Sequence, residues 1–180
     1  RTISSAASDV YKRQAEASAA GTIQLANDNA PGQIVVSGAL AAVDTAIEIA
    51  KAKGIRRAIK LPVSAPFHCA LMQPAADVMA AALGDADMHA AAVPVYWNVT
   101  AGAVSAADKL RENLVTQVTG RVRWRETLGA VSASGVTCFV EIGTGKVLSG
   151  LVKRTLEEAV IVNLETADDL DTVLQAIPTA

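Results

Sequence analysis

Short apolar runs alternate along the chain with stretches in which apolar residues recur every three or four positions. These are the patterns of strand and helix. Ile34–Ser37 is a β-branched run behind the turn signal "NAPG". Leu40, Val43, Ile47 and Ala50 then line one face of a helix that Gly54 stops. Ile59, Leu61 and Val63 alternate within Ala58–Val63, so residues 33–63 read as strand–helix–strand. A helix is predicted from just after His68 to about Leu83, with Pro74 tolerable only in its first turn. Leu71, Ala75, Val78, Met79 and Ala82 would form its apolar stripe. Val93–Val99 is strand-like, and Ser105 suits the cap of a helix carrying Leu110, Leu114 and Val118. Another helix holds Trp124, Leu128 and Val131 and ends at Gly135. Thr137–Ile142 reads as a buried strand that runs through "GTGK" into a helix with Val147, Leu148, Leu151 and Val152. Ala159–Leu164 is a last strand and Ala167–Ile177 a last helix. The alternation argues for an α/β layered fold, with no internal repeat and no low-complexity linker.

Composition narrows the class. The chain has 180 residues, enough for one domain or a core with a small appendage, and is 51% hydrophobic but only 3% aromatic. No apolar run approaches the ~20 residues of a membrane span, and a net charge of −2 without a basic stretch speaks against nucleic acid. Cys69 and Cys138 are too few for a disulfide framework, and two free thiols fit a reducing cytoplasm. Arg1–Gln14 lacks the apolar core of a signal peptide. Its "DVYKRQ" matches the translation of GAT GTG TAT AAG AGA CAG, which resembles a transposon-type sequencing adapter. Residues 1–14 are therefore expected to be a library artefact, with natural protein beginning near Ala15. Sequencing the source DNA upstream of the Ala15 codon tests this.

Candidate chemistry is sparse. His68 sits in a Pro-rich loop between a strand and a helix, where catalytic residues of α/β folds concentrate. His89 lies in a polar loop and reads as solvated. Cys69 is adjacent to His68, and neighbours in extended chain point opposite ways, so a small buried cysteine is favoured over a Cys–His dyad. Two Cys and two His at these separations make no zinc site. Gly143–Lys146 fails the phosphate-loop pattern, since position 140 is Val and Lys146 precedes Val147. A helix starting there could still weakly attract an anion. Asn27, Asp28 and Asn29 form a polar cluster that either makes a turn through its own side chains or contacts substrate.

Three stretches together, "QLANDNAPGQIVVSG", "LPVSAPFHCALMQPAAD" and "EIGTGKVLSGLVKR", resemble the malonyl-CoA:acyl carrier protein transacylases of bacterial type II fatty acid synthesis. The resemblance runs from about Ala15 to Leu164. It implies an α/β-hydrolase-like large subdomain at 64–180 and, at 15–63, the later part of an inserted ferredoxin-like small subdomain. It also implies ping-pong transfer of malonyl from coenzyme A, through an acyl-serine, to the phosphopantetheine thiol of acyl carrier protein. The family's histidine motif maps onto His68 as general base. The backbone carbonyl that orients it maps onto Gln117 in "LVTQV". Asn27 and Asn29 become candidates for substrate contact. Arg56, Arg57 and Lys60, with Lys153 and Arg154, become candidates for an acidic carrier protein. No metal or organic cofactor is implied, because coenzyme A enters with the substrate.

Three family features are missing, one of them an N-terminal glutamine-rich turn that contributes to the oxyanion hole. No serine here lies in G-H-S-x-G, the strand-to-helix elbow of the nucleophile, and the arginine that clamps the malonyl carboxylate is absent with it. The chain thus resembles the C-terminal portion of such an enzyme, somewhat over half of it. It is expected to be inactive alone and to leave a sheet edge and an apolar face bare. A polyketide synthase acyltransferase fragment and a non-catalytic carrier-protein-binding module are the alternatives. The ending "DLDTVLQAIPTA" reads as a free C-terminus and favours the stand-alone enzyme.

Overall fold

Pro31 and Gly32 set the first reversal, Pro31 through its fixed φ and Gly32 through a φ of +75°. They join β1 (Ile23–Ala30) to β2 (Gln33–Gly38) in an antiparallel hairpin. The computed structural model describes residues 17–55 and 57–177. Gly38 ends the hairpin beside the Thr22 carbonyl, where a Cβ would lie 2.1 Å from that oxygen. The same oxygen accepts the Ala39 N–H at 2.7 Å and starts α1 (Leu40–Ala52). Ala17, Ile23 and Ala42 form the buried centre of this unit, with Val36, Val43, Ala46 and Ile49 packed around it. The polar cluster Asn27–Asn29 therefore forms no turn. It lies in β1, because the hairpin reverses two residues later, and cross-strand pairing overrides the turn preference of Asn and Asp.

Beyond Gly54 the sequence expectation fails. Ala58–Val63 makes no strand, and Ile59 and Val63 are each 60% exposed. Alternation gives a segment two faces, but a strand exists only when a neighbour takes its N–H and C=O groups. No described strand does so here.

A 3₁₀ turn at Ala70–Met72 leads into α2 (Gln73–Gly84), with Pro74 in the first turn as expected. The expected stripe is not covered. Val78 is 71% exposed, Leu71 and Met79 are also exposed, and Ala76 alone is buried. The Arg111 guanidinium, on α3 (Ala107–Thr119), donates to the Leu83 and Ala86 carbonyls at 2.8 and 2.9 Å and closes the C-terminal end of α2. Ser105 does not cap α3. Ala106 holds the cap position, and the Ser105 carbonyl accepts Ala91 N–H. Between α2 and α3, β3 (Val95–Trp97) and β4 (Gly102–Val104) form a second hairpin.

After α4 (Trp124–Ala133), β5 (Cys138–Ile142), α5 (Val147–Thr155) and β6 (Val160–Leu164) make a parallel β–α–β unit in register from Cys138↔Val160 to Ile142↔Leu164. A capping box between Thr166 and Asp169 opens the last turns, and α6 (Leu170–Ala176) follows. The architecture is mixed α/β, as expected. The strand at 138–142 is only half-buried, because β6 is its one strand partner among the described residues and Ile142 remains 76% exposed.

One ion pair ties the first hairpin to α4. Arg125 Nε and Nη2 donate to the two Asp28 oxygens at 2.9 and 2.6 Å, and Asp28 is 8% exposed. Those hydrogen bonds to Asp28 are the main cause that raises the Arg125 pKa above its ordinary value. Asp28→Ala would strip a partly buried guanidinium, 27% exposed, of its two-oxygen acceptor, so an unfolding free-energy loss of about 2 kcal/mol is expected by urea denaturation. Glu126 is held below the usual 4.5 by its hydrogen bonds from Arg123, then by the charges of Arg123, Arg121 and Arg125, against its burial. A carboxylate depressed in the fold stabilises above its unfolded pKa, and that stabilisation is lost as pH falls through its folded pKa. The melting temperature should therefore drop as pH goes below about 4.5. Glu126→Gln should melt lower at neutral pH and show a shallower acid decline.

Candidate active site

His68 adopts φ +58°, the left-handed region that a residue with a Cβ enters at a cost of about 1 kcal/mol. Contacts on both sides hold it there. Cys69 is fully buried and its Sγ–H donates to the Pro66 carbonyl at 3.1 Å. The Ala70 N–H donates to the Gln24 side-chain oxygen on β1. The His68 ring itself is half-buried.

Two backbone carbonyls face the ring. Nδ1 lies 3.0 Å from the Gln117 oxygen and 3.1 Å from the Gly120 oxygen. A carbonyl only accepts, so Nδ1 carries the proton, and in the neutral ring the Nε2 lone pair is free to take one. The helix explains why these carbonyls are available. Gln117 is in the last turn of α3 and Gly120 is its C-cap, where the last carbonyls have no intrahelical partner and the dipole is negative. Gly120 is needed at that point, since a Cβ would meet Val99 Cγ2 at 2.6 Å and the Thr116 oxygen at 2.8 Å. The chain beyond it bonds to β1, through Asp28 N–H to Val122 O at 2.8 Å and Val122 N–H to Ala26 O at 2.7 Å.

The structure thus brings His68 and Gln117 together across 49 residues of chain. Asn27 and Asn29 are half-exposed positions of β1 on either side of buried Asp28. The role of Asp28 was not legible as a turn former. Its signal was its place between the inward-facing Ala26 and Ala30. Gly120, the second acceptor, also escaped sequence reasoning. Lys60 is engaged with Asp44 at 2.9 Å, Arg57 is exposed, and Arg56 lies outside the described residues. Lys153 and Arg154 are exposed in the last turn of α5. His89 is exposed, as expected.

The Cys69 thiol is bonded to Pro66 O, which fits a structural cysteine. The start of α5 is already served: the Glu141 carboxylate accepts the Leu148 and Ser149 N–H groups at 3.0 and 2.7 Å. Hydrogen bonding from the Ser149 side chain first, then from these backbone groups, holds the Glu141 pKa below 4.5, and the carboxylate fills the place where an anion could have bound. Among the described residues no group of three metal-ligating side chains forms, and no helix is long and apolar enough to cross a membrane.

The mixed α/β fold that carries this histidine can be set beside known proteins. The chain belongs to the acyl transferase domain family, whose pattern matches residues 4–174. It is 42% identical over 155 residues to the malonyl CoA-acyl carrier protein transacylase of Bacillus subtilis, covering 86% of this chain and 49% of that protein. It is 40% identical over 148 residues to the transacylase of the same name from Escherichia coli K12, covering 82% and 48%. Among solved structures, the acyl-carrier-protein S-malonyltransferase of Bartonella henselae superposes with a TM-score of 0.90 at 46% identity, over 93% of this chain and 54% of that one. A malonyl-transacylase solved in complex with its type II polyketide acyl-carrier protein superposes with a TM-score of 0.88 at 36% identity, over 92% and 54%. The chain spans about half the length of the curated relatives it matches.

Proposed function

We propose that this chain is the base-bearing part of a malonyl-CoA:acyl carrier protein transacylase. The observation that carries the reading is the His68 ring, with Nδ1–H held by the Gln117 and Gly120 carbonyls and Nε2 without a partner among the described residues. In the reaction, Nε2 takes the proton of a serine hydroxyl as the oxygen attacks the malonyl thioester. The protonated ring then gives that proton to the departing coenzyme A thiolate. In the second half, Nε2 takes the proton of the carrier protein's phosphopantetheine thiol as its sulfur attacks the acyl-serine, and returns it to the serine oxygen. Backbone carbonyls in place of a carboxylate fix the tautomer without a third charged member. The serine and the carboxylate-binding arginine come from a part of the enzyme not in these 180 residues.

In this reading residues 64–180 belong to a hydrolase-like large subdomain, and 15–63 to the later part of a ferredoxin-like one. The protein works in the cytoplasm. Coenzyme A is part of the substrate and no further cofactor takes part. Arg57, Lys153 and Arg154 are exposed cations suited to an acidic carrier protein. Asn27 and Asn29 remain proposed substrate contacts.

The test joins residues 17–177 to the preceding half of the Bartonella henselae relative and assays malonyl transfer to holo-acyl carrier protein. Transfer by the chimera, and none by the 180-residue chain alone, is expected. A chimera that folds but binds carrier protein without acyl transfer would favour the non-catalytic module. Within the chimera, Gly120→Ala should displace the second acceptor and lower kcat about 10–100-fold with KM little changed, as read from steady-state kinetics.

A further inference from the structure

We propose that Gln24 is a positioning residue for His68, an assignment that rests on the reading of His68 as the base. β1 touches both sides of the site. Through Ala26 and Asp28 its backbone holds Val122, two residues beyond the Gly120 carbonyl that receives the imidazole proton. Through the Gln24 side chain it holds the Ala70 N–H, two residues beyond His68. Acceptor and imidazole are thus both referenced to one strand, and Gln24 is the side-chain half of that reference.

The Gln24 bond falls where the loop most needs it. Ala70 opens the 3₁₀ turn that leads into α2, and its N–H is one that no intrahelical carbonyl satisfies. The residue before it, Cys69, caps with no side chain of its own. Its thiol is spent on Pro66, and the residue before that is His68 at φ +58°. Without Gln24 the carbonyls of Gln117 and Gly120 stay in place, since the Val122 bonds are untouched, but the His68 loop can relax toward an ordinary φ. The ring would then lose its two-carbonyl grip, and both tautomers would populate.

The experiment labels the imidazole nitrogens with ¹⁵N in a His89→Gln background, which leaves His68 as the only histidine. It runs in solution, or by magic-angle spinning where the chain self-associates. In the parent, Nδ1 is expected at a pyrrole-like shift and Nε2 at a pyridine-like one. Gln24→Leu should move both toward averaged positions. Gln24→Glu, which keeps an acceptor for the Ala70 N–H, should restore the parent pattern. Ala42→Gly, which loosens the core beneath α1, should lower the melting temperature and leave the tautomer alone. If Gln24→Leu does not fold, Gln24→Asn, one methylene too short to reach, replaces it. A folded Gln24→Leu or Gln24→Asn chain with the parent pattern would overturn the proposal. That result would leave the role of His68 intact, because the tautomer is read without turnover. Loss of the catalytic reading would in turn leave the tautomer shift standing.

Discussion

His68→Ala, placed in the chimera that carries a serine nucleophile, should cut kcat for malonyl transfer by about a thousandfold. General-base assistance contributes roughly 10²–10⁴-fold where the base is positioned, and this ring is held at Nδ1 by two carbonyls. KM for malonyl-CoA should change far less, because in the proposed mechanism the imidazole acts on the hydroxyl proton rather than on the bound thioester. Cys69→Ser, which keeps a donor for the Pro66 carbonyl and so keeps the contact that helps hold the loop, is the control. The thiol it replaces is buried and bonded to Pro66, so kcat should stay within a few-fold of the parent. Steady-state transfer assays on both variants decide the matter. Equal losses from the two would make the loop, not the imidazole, the functional element.

The second large effect is physical. The 180-residue chain alone should self-associate, while the chimera should run as a monomer with one cooperative melt. A parallel strand pair is ordinarily covered on both faces, yet β5 and β6 form a two-stranded sheet with Ile142 76% exposed. Val147 at 73% and Val78 at 71% add apolar surface on α5 and α2. Open strand edges beside such surface invite pairing with another chain. Light scattering after size-exclusion chromatography separates the outcomes. A monomeric, cooperatively melting 180-residue chain would show these surfaces to be tolerable without a covering partner.

These exposed faces also explain where sequence reading succeeded and failed. α1, α4 and the β5–α5–β6 unit were legible because each carries its own periodicity and its own stop, such as Gly54 or Gly135. Ala58–Val63 and the stripe of α2 have the right periodicity, but the apolar pattern describes a surface to be covered, and no described element covers it. Asn27–Asn29 misled because turn chemistry is local and β1 pairing is not. His68 could be picked out by its loop position, but its pairing with Gln117 came from family resemblance. Gly120 and Gln24 had no such mark. A carbonyl acceptor belongs to the backbone and leaves no residue-type signature, and an amide that binds a distant N–H looks like any polar strand residue.

The contacts that frame the histidine also fix when it is ready. Ala70 to Gln24 spans 46 residues, His68 to Gln117 spans 49, and Arg125 to Asp28 spans 97. Closing such loops costs entropy before any bond repays it, so contacts of this separation come late in folding. The chain can complete each local helix and hairpin and still hold a histidine that points nowhere in particular. An aimed imidazole is therefore expected as a product of the last assembly steps, and the base chemistry proposed for it would be available only in molecules that have finished folding.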